Sequence, residues 1–458
     1  MSVGAAFGAR RRRRDRAGNH PVLQRDRGLR GFAGCQRAPR RHRLAGRGAA
    51  LEAVVITGGA FDKPLPEGVG PATLGVRGGL RRSGFEETAE ALYLTSGFVY
   101  ESAEAAEAAF TGEVEHFVYS RYGNPTVAMF EERIRLMDGA EAAFATASGM
   151  SAVFTALGAL LGAGDRLVAA RSLFGSCFVV CNEILPRWGV ETVFVDGEDL
   201  DQWERALSVP TAAVFFETPA NPMQTLVDVR RVTELAHAAG AKVVLDNVFA
   251  TPLLQKGFDL GADVVVYSGT KHIDGQGRVL GGAILGDREY IDGPVKTLMR
   301  HTGPALSPFN AWTLLKGLET MPLRVRHSTE SALRIARFLE SNPAVSWVKY
   351  PFLESHPQYD LARAQMSGGG TVVTFELKAA EGEAKKRAFE VLDRLRIIDI
   401  SNNLGDAKTL ITHPATTTHR AMGPEGRAGI GLTDGVVRIS VGLEDVDDLL
   451  SDLEHALS

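Results

Sequence analysis

The residues with the most chemical potential lie where a short apolar strand ends. Val264-Val265-Val266-Tyr267 runs into Ser268-Gly269-Thr270, and Lys271 follows at once. Hydroxyls and amides at such a turn can hold a phosphate, and the adjacent amine can condense with a carbonyl. A surface lysine in a strand-to-loop turn is the plain alternative. Lys242-Val243-Val244-Leu245 ends on Asp246 and Asn247, 25 residues before Lys271. A carboxylate closing a buried strand is costly without a cationic partner. The protonated ring nitrogen of pyridoxal 5′-phosphate is such a partner, and the pair turns the ring into an electron sink. The alternative is an Asp that caps a helix.

Further residues fall into the same scheme. Ser148, Gly149 and Met150 open a helix whose free N–H groups and positive dipole end suit a phosphate. A Ser at that place is also an ordinary helix cap. Phe174 follows a strand and could stack on a pyridine face or serve as a core aromatic. Asn221, within Glu217-Thr218-Pro219-Ala220-Asn221-Pro222, is placed to reach a ring hydroxyl. Asn-Pro is equally a turn signal. Arg438 sits inside the apolar strand Val437-Arg438-Ile439-Ser440-Val441, where a guanidinium needs an anion. A substrate α-carboxylate fits, and a structural salt bridge competes.

The elements that must position these groups alternate along the chain. Apolar strands are predicted at 167–170, 192–195, 212–216, 242–245, 264–266 and 283–285. Helices are predicted at 127–136, 149–161, 177–188 and 229–239. Short, continuously apolar strands between helices predict an α/β fold with a mostly parallel sheet covered on both faces. Ligands of such sheets sit beyond the carboxyl ends of the strands, where Asp246 and Lys271 stand. Helices dominate 308–341. Strands near 345–350, 371–377 and 436–441, with helices near 383–394 and 444–457, predict a smaller C-terminal α+β domain. Residues 51–115 read as an approach with few strong elements, broken by Pro64, Pro66 and Pro71.

Composition narrows the class. The 458 residues are 45% hydrophobic and 23% charged, as in a globular protein with a large interior. No apolar run of about 18 residues suggests a membrane span. Cys35, Cys177 and Cys181 offer neither a disulfide framework nor zinc spacing, which points to a reducing, cytoplasmic setting and to no metal. Cys177 and Cys181, four apart on a predicted helix, read as core packing. Residues 1–50 hold 14 Arg, no Lys and two Asp, including Arg10 to Arg14 in series. The rest carries 37 basic and 53 acidic residues, a net −16 that argues against nucleic-acid binding. The Arg-rich head, without a secretory core, reads as a disordered leader, with a targeting segment or a polyanion contact as the alternatives. Gly275-Gln276-Gly277 precedes a strand and lacks the full dinucleotide fingerprint.

Taken in order, several segments resemble the motif series of the Cys/Met-metabolism PLP-dependent enzymes. They are Tyr119-Ser120-Arg121-Tyr122-Gly123-Asn124-Pro125, Ala147-Ser148-Gly149-Met150, Glu217-Thr218-Pro219-Ala220-Asn221-Pro222, Ser268-Gly269-Thr270-Lys271 and Arg438-Ile439-Ser440-Val441-Gly442. That group includes cystathionine γ-synthase, cystathionine lyases and homoserine-ester sulfhydrylases. Within it, His272-Ile273-Asp274-Gly275-Gln276-Gly277-Arg278 and the segment from His413 to His419 are most similar to the sulfhydrylases. The resemblance runs from about residue 70 to the C-terminus.

It implies a fold type I enzyme in which Lys271 holds the cofactor, Asp246 pairs with the pyridinium, and Gly149, Met150, Ser268 and Thr270 bind the phosphate. It implies that Arg438, with Asn403 beside it, binds the substrate carboxylate. Tyr119, counted with Lys271 and Asp246 as catalytic, and Arg121 would reach the phosphate of a neighbouring subunit in a homotetramer built as a dimer of dimers. The implied domains are a leader at 1–70, an intersubunit arm at 71–127, a cofactor-binding domain at 128–320 and a small domain at 321–458. The implied reaction is γ-replacement of the acyl group of an O-acylhomoserine, the succinyl ester first and the acetyl ester next, by sulfide in methionine biosynthesis, with cystathionine γ-synthase or γ-lyase activity as the alternative. Two departures stand out. Phe174 takes a place where many γ-lyases have tyrosine, and Asn403 one where lyases commonly have serine.

Overall fold

The computed structural model describes residues 65–458. The Arg-rich head, with Cys35, lies outside the described residues. Within them, seven strands make one sheet: β1 (Ala142–Thr146), β2 (Arg166–Ala170), β3 (Glu191–Val195), β4 (Ala213–Glu217), β5 (Lys242–Asp246), β6 (Val264–Ser268) and β7 (Gly282–Gly286). Their order is β1-β7-β6-β5-β4-β2-β3. Strands β3, β2, β4, β5 and β6 pair in parallel, whereas β7 runs antiparallel to both its neighbours.

The uninterrupted apolar strands are explained by cover on both faces. Side chains alternate between two cores. Val214, Phe216, Val243, Leu245 and Val265 point into one, against the helices Pro125–Asp138, Val229–Ala238 and Pro308–Ser341. Phe215, Val244, Val264 and Val266 point into the other, against the helix Gly149–Leu160 and the segment after Phe174. Each such side chain contributes about 1.5–3 kcal/mol by leaving water. Cys177 and Cys181 are buried and unpaired in the second core, as the apolar reading expects.

A second sheet of five strands has the order β10-β11-β12-β9-β8. It is formed by β8 (Val345–Lys349), β9 (Val372–Leu377), β10 (Asp399–Ile400), β11 (Leu410–Thr412) and β12 (Val436–Ser440). Val437 and Ile439 of β12 pack with Leu449 and Leu453 of the C-terminal helix Val446–Leu457. Alternation therefore turns Arg438 to the opposite face. The helix Pro308–Ser341 serves both layers and runs through residue 320 without a break.

Some local expectations needed correction. The described part of 51–115, residues 65–115, contains two helices, Pro71–Arg77 and Ala103–Thr111. Pro71 starts the first, because proline's fixed φ and missing N–H suit a first helical turn. Strand β1 was not anticipated. Its Ala-Ala-Phe-Ala-Thr sequence has little intrinsic β preference, and pairing with β7 supplies the strand. The expected helix at 177–188 begins at Gly175 and changes to wider and then tighter turns near Pro186.

A buried ion pair ties the amino-terminal segment to this frame. Arg133 donates to Glu90 and, at 2.8 Å, to the carbonyl of Gly78, while Lys316 donates to the other oxygen of Glu90. Arg133 is fully buried and Glu90 nearly so. Removing one partner of a buried pair leaves an uncompensated charge. Glu90→Ala should lower unfolding stability by about 3–5 kcal/mol. The urea midpoint of purified protein checks this, and an unchanged midpoint would show that the pair holds nothing.

Candidate active site

The predicted residues converge at the carboxyl edge of the seven-stranded sheet. Lys271 follows β6 in a tight turn with φ −90° and ψ −127°, outside the helical range of its neighbours. Gly269 permits that turn, since a Cβ there would stand 3.0 Å from Leu314 Cδ1 and 3.1 Å from the carbonyl carbon of Gly281. The Lys271 ammonium donates to Asn403 Oδ1 at 2.6 Å. Burial, and then the nearby Arg438 charge, lower its pKa to about 8.

Asp246 closes β5 and is 7% exposed. Its Oδ1 accepts the Val248 N–H at 3.1 Å. Among the described residues no Lys, Arg or His forms an ion pair with it. Burial raises its pKa to about 6, against the pull of that single N–H. Glu217, in direct register with Asp246 across β4 and β5, is 4% exposed. It accepts the Phe174 N–H at 3.0 Å and the Asn221 N–H at 2.5 Å. Burial first, and the Asp246 charge second, push its carboxyl well above the ordinary range. In the sequence Glu217 stands inside the Glu-Thr-Pro-Ala-Asn-Pro motif with no role of its own. Its place at the end of a wholly buried strand was the available signal.

Arg438 is 1% exposed and faces this edge from the second sheet. Nη1 donates to Asn221 Oδ1 at 2.9 Å, and Nη2 to the carbonyls of Asn402 and Asn403 at 2.9 and 3.2 Å. Its Nε–H has no partner. No carboxylate pairs with it among the described residues, so the competing salt bridge is absent. Burial lowers its pKa to about 10, with partial relief from Glu217. Asn221 therefore serves Arg438 by its side chain here, and the Asn403 backbone does the same.

The helix expected to take a phosphate begins at Gly149, with Ser148 as its cap. Ser148 Oγ accepts the Ser151 N–H at 3.1 Å. Gly149 lies so close to Ser268 that a Cβ would stand 2.6 Å from Ser268 Cβ and 2.8 Å from its hydroxyl. The Thr270 hydroxyl is engaged with Gly281, accepting its N–H at 3.2 Å. Met150 packs beside the second core and accepts the Cys177 thiol at 3.8 Å. Phe174 is partly buried against the same core.

Tyr119 and Arg121 stand apart from this set. Tyr119 is 41% exposed and its ring makes an edge contact with Tyr122. Arg121 lies over both tyrosine rings and donates to the carbonyl of Arg300. Neither shares a hydrogen bond, ion pair or ring contact with Lys271, Asp246 or Arg438. His413 and His419 hold backbone carbonyls, those of Asp434 and Asn221. No cluster able to hold a metal occurs among the described residues.

These features suit one kind of ligand: an aromatic cation beside Asp246, an aldehyde within reach of a partly deprotonated Lys271, a phosphate at Gly149, and a carboxylate on Arg438. The chain matches the family model of the Cys/Met metabolism PLP-dependent enzymes over residues 72–458 and belongs to that family. Among its relatives, an O-succinylhomoserine sulfhydrylase of Mycobacterium tuberculosis is 79% identical over 396 residues, covering 86% of this chain and 98% of the relative. One from Pseudomonas aeruginosa is 46% identical, covering 87% and 98%. A solved structure of a putative O-acetylhomoserine (thiol)-lyase from Campylobacter jejuni, 29% identical, superposes with TM-score 0.81 over 85% of this chain and all of that one. That structure carries a pyridoxyl-lysine monophosphate. The cofactor is thus pyridoxal 5′-phosphate, and the unpaired Asp246 and the Gly149 cradle fit it.

Gly149→Ala should weaken retention of the cofactor at least about tenfold, because a methyl group closes the approach to Ser268. Equilibrium dialysis read at the cofactor's absorbance measures it. Borohydride reduction of Lys271→Ala with the cofactor should leave no pyridoxyl group on the chain, whereas the wild type is labelled at Lys271. Labelling elsewhere would remove the lysine from its assigned place.

Proposed function

We propose that the protein is an O-succinylhomoserine sulfhydrylase. It replaces the succinyloxy group on Cγ of O-succinylhomoserine by sulfide, giving homocysteine and succinate in methionine biosynthesis. The observation that carries this reading is the buried Arg438, with a free Nε–H and no carboxylate partner among the described residues, set beside Lys271 through Asn403. An arginine kept unpaired in the interior is a site for a substrate carboxylate. The choice of ester and of sulfide is supported by the sulfhydrylase relatives.

Pyridoxal 5′-phosphate, when bound, supplies an aldehyde for the substrate amine and a ring that takes up charge left at carbon. The protein does the rest. Arg438 fixes the carboxylate end and so orients the amino acid. Lys271 moves protons at its amine, which burial and Arg438 bring towards neutral pH. Asp246 holds a proton on the ring nitrogen, its ionised form favoured once a cation lies beside it. Succinate leaves Cγ with the bonding electrons, and the sulfur brings the pair for the new bond.

The arm at 71–127 belongs to the same proposal. Phe85, Leu94, Val99 and Phe110 are each more than 60% exposed, and they precede Tyr119 and Arg121. Apolar surface of that density marks a contact with another chain. We place Tyr119 and Arg121 at the phosphate of a neighbouring subunit in a homotetramer built as a dimer of dimers. Light scattering should give four chains per particle, and a monomeric active enzyme would overturn the arm's role.

Steady-state rates with O-succinyl- and O-acetylhomoserine, each with sulfide, test the substrate. The succinyl ester should show the higher kcat/KM by at least about tenfold, or about 1.4 kcal/mol. A reversed preference, or cystathionine as the main product when cysteine competes with sulfide, would sink the assignment. The apoprotein should combine with the cofactor faster as pH rises, with a midpoint near 8, because only the neutral amine attacks. Stopped-flow absorbance at several pH values reads this, and a midpoint near 10 would mean an unperturbed lysine.

A further inference from the structure

We propose that Glu217 is a positioning residue: its one carboxylate sets both the Phe174 wall and the Asn221–Arg438 carboxylate site. The proposal deepens the reading of Arg438 as the seat of a substrate carboxylate and rests on it.

Glu217 ends β4, and two loops from separate strands converge on it. Oε2 takes the N–H of Phe174, which opens the segment after β2. Oε1 takes the N–H of Asn221, in the loop that follows β4 itself. Asn221 is then fixed at two more atoms. Its carbonyl accepts from His419 Nε2 at 3.1 Å, and its Oδ1 accepts from Arg438 at 2.9 Å. Burial holds His419 neutral, its pKa lowered to about 4, and Thr418 Oγ1 sits 2.8 Å from its Nδ1. The ring therefore carries its proton on Nε2 and donates it to Asn221. A chain of contacts leads from Phe174 through Glu217 and Asn221 to Arg438, with a carboxylate as its only shared acceptor.

A purely structural role would need only that the buried N–H groups be satisfied. What sets Glu217 apart is the choice of an acid, 4% exposed and in register with another acid, Asp246. Burying two carboxylates side by side is expensive. An amide would avoid that cost but offers one acceptor oxygen, and its NH₂ would face a backbone donor. Two acceptor oxygens on one side chain are what the two loops require. Glu217 touches no reacting atom by this account and works through Phe174 and Asn221.

The test uses the holoenzyme and the ester that the wild type turns over best, so a wrong choice of ester leaves it intact. Glu217→Gln should lower kcat/KM about 10–100-fold, the cost of orphaning one buried donor at the site. The amino-acid KM should rise at least about fivefold, and the visible circular dichroism of the bound cofactor should change in amplitude. In an Asn221→Ala background the same substitution should raise the amino-acid KM less than about threefold more, since the branch to Arg438 is already cut, while the dichroism change through Phe174 persists. Unchanged KM and dichroism in Glu217→Gln, or KM increases that multiply in full in the double variant, would overturn the proposal. Should Glu217→Gln fail to fold, Glu217→Asp, which keeps the carboxyl group but shortens the reach, should show the same KM and dichroism shifts. Failure of both variants to fold would make Glu217 a core acid and equally overturn it. Loss of the substrate reading alone would leave the dichroism change standing.

Discussion

Four ionisable groups, three of them buried and Lys271 partly so, meet at the carboxyl edge of the large sheet without an ion pair between any two of them. Asp246 and Glu217 lie side by side on β5 and β4. Lys271 and Arg438 face them from a turn and from the second sheet, joined to neutral partners. Elsewhere among the described residues, Arg324, Asp138 and Asp452 are buried on hydrogen bonds, whereas Glu90 and Asp274 are ion-paired. Arg133 meets Glu90, and Arg278 meets Asp274 at 2.9 Å. Leaving the site's charges unpaired costs free energy that burial elsewhere must offset. The cost makes sense for an edge completed by a ligand that brings a pyridinium, an aldehyde, a phosphate and a carboxylate.

The architecture follows from that requirement by way of strand periodicity. Each central strand spends its alternate residues on one of two cores, so only its last residue is free to be polar. Strands β4, β5 and β6 end on Glu217, Asp246 and Ser268, three polar residues in a row along one edge. In β12 the same alternation works sideways. Val437 and Ile439 anchor the strand, and Arg438 between them is turned to the edge. The rigid cores thereby set where these groups lie, and the hydrogen bonds of Asn221 and Asn403 complete their placement.

Much of this was legible in the chain. Val264-Val265-Val266 before Lys271, and Val243-Val244-Leu245 before Asp246, announce buried strands with polar ends. Arg438 left two readings open, and the sequence held no way to choose, because a carboxylate partner could come from anywhere in the chain. The structure chooses by showing carbonyls and an amide around it. Glu217 was harder to read, since Glu-Thr-Pro-Ala-Asn-Pro looks like the start of a turn, and only tertiary register sets it beside Asp246. Strand β1 was hidden because its alanines acquire strand geometry from β7 and not from propensity. Tyr119 and Arg121 carry motif signals, yet among the described residues no contact brings them to the site.

The partner chosen for Lys271 shows how fine the electrostatic balance is. An aspartate at position 403 would hold the lysine as ammonium, since an opposite charge at hydrogen-bond distance favours the protonated form. Asn403 fixes the amine at 2.6 Å with a neutral oxygen. Its backbone carbonyl meanwhile steadies Arg438 at 3.2 Å. The amide thus holds two cations near each other and neutralises neither. Arg438 keeps its charge, as the proposed carboxylate site requires, and its proximity lowers the pKa of Lys271. A residue of either charge at 403 would satisfy one of these demands and spoil the other, so neutrality at that position is what lets one small region both bind an anion and move a proton.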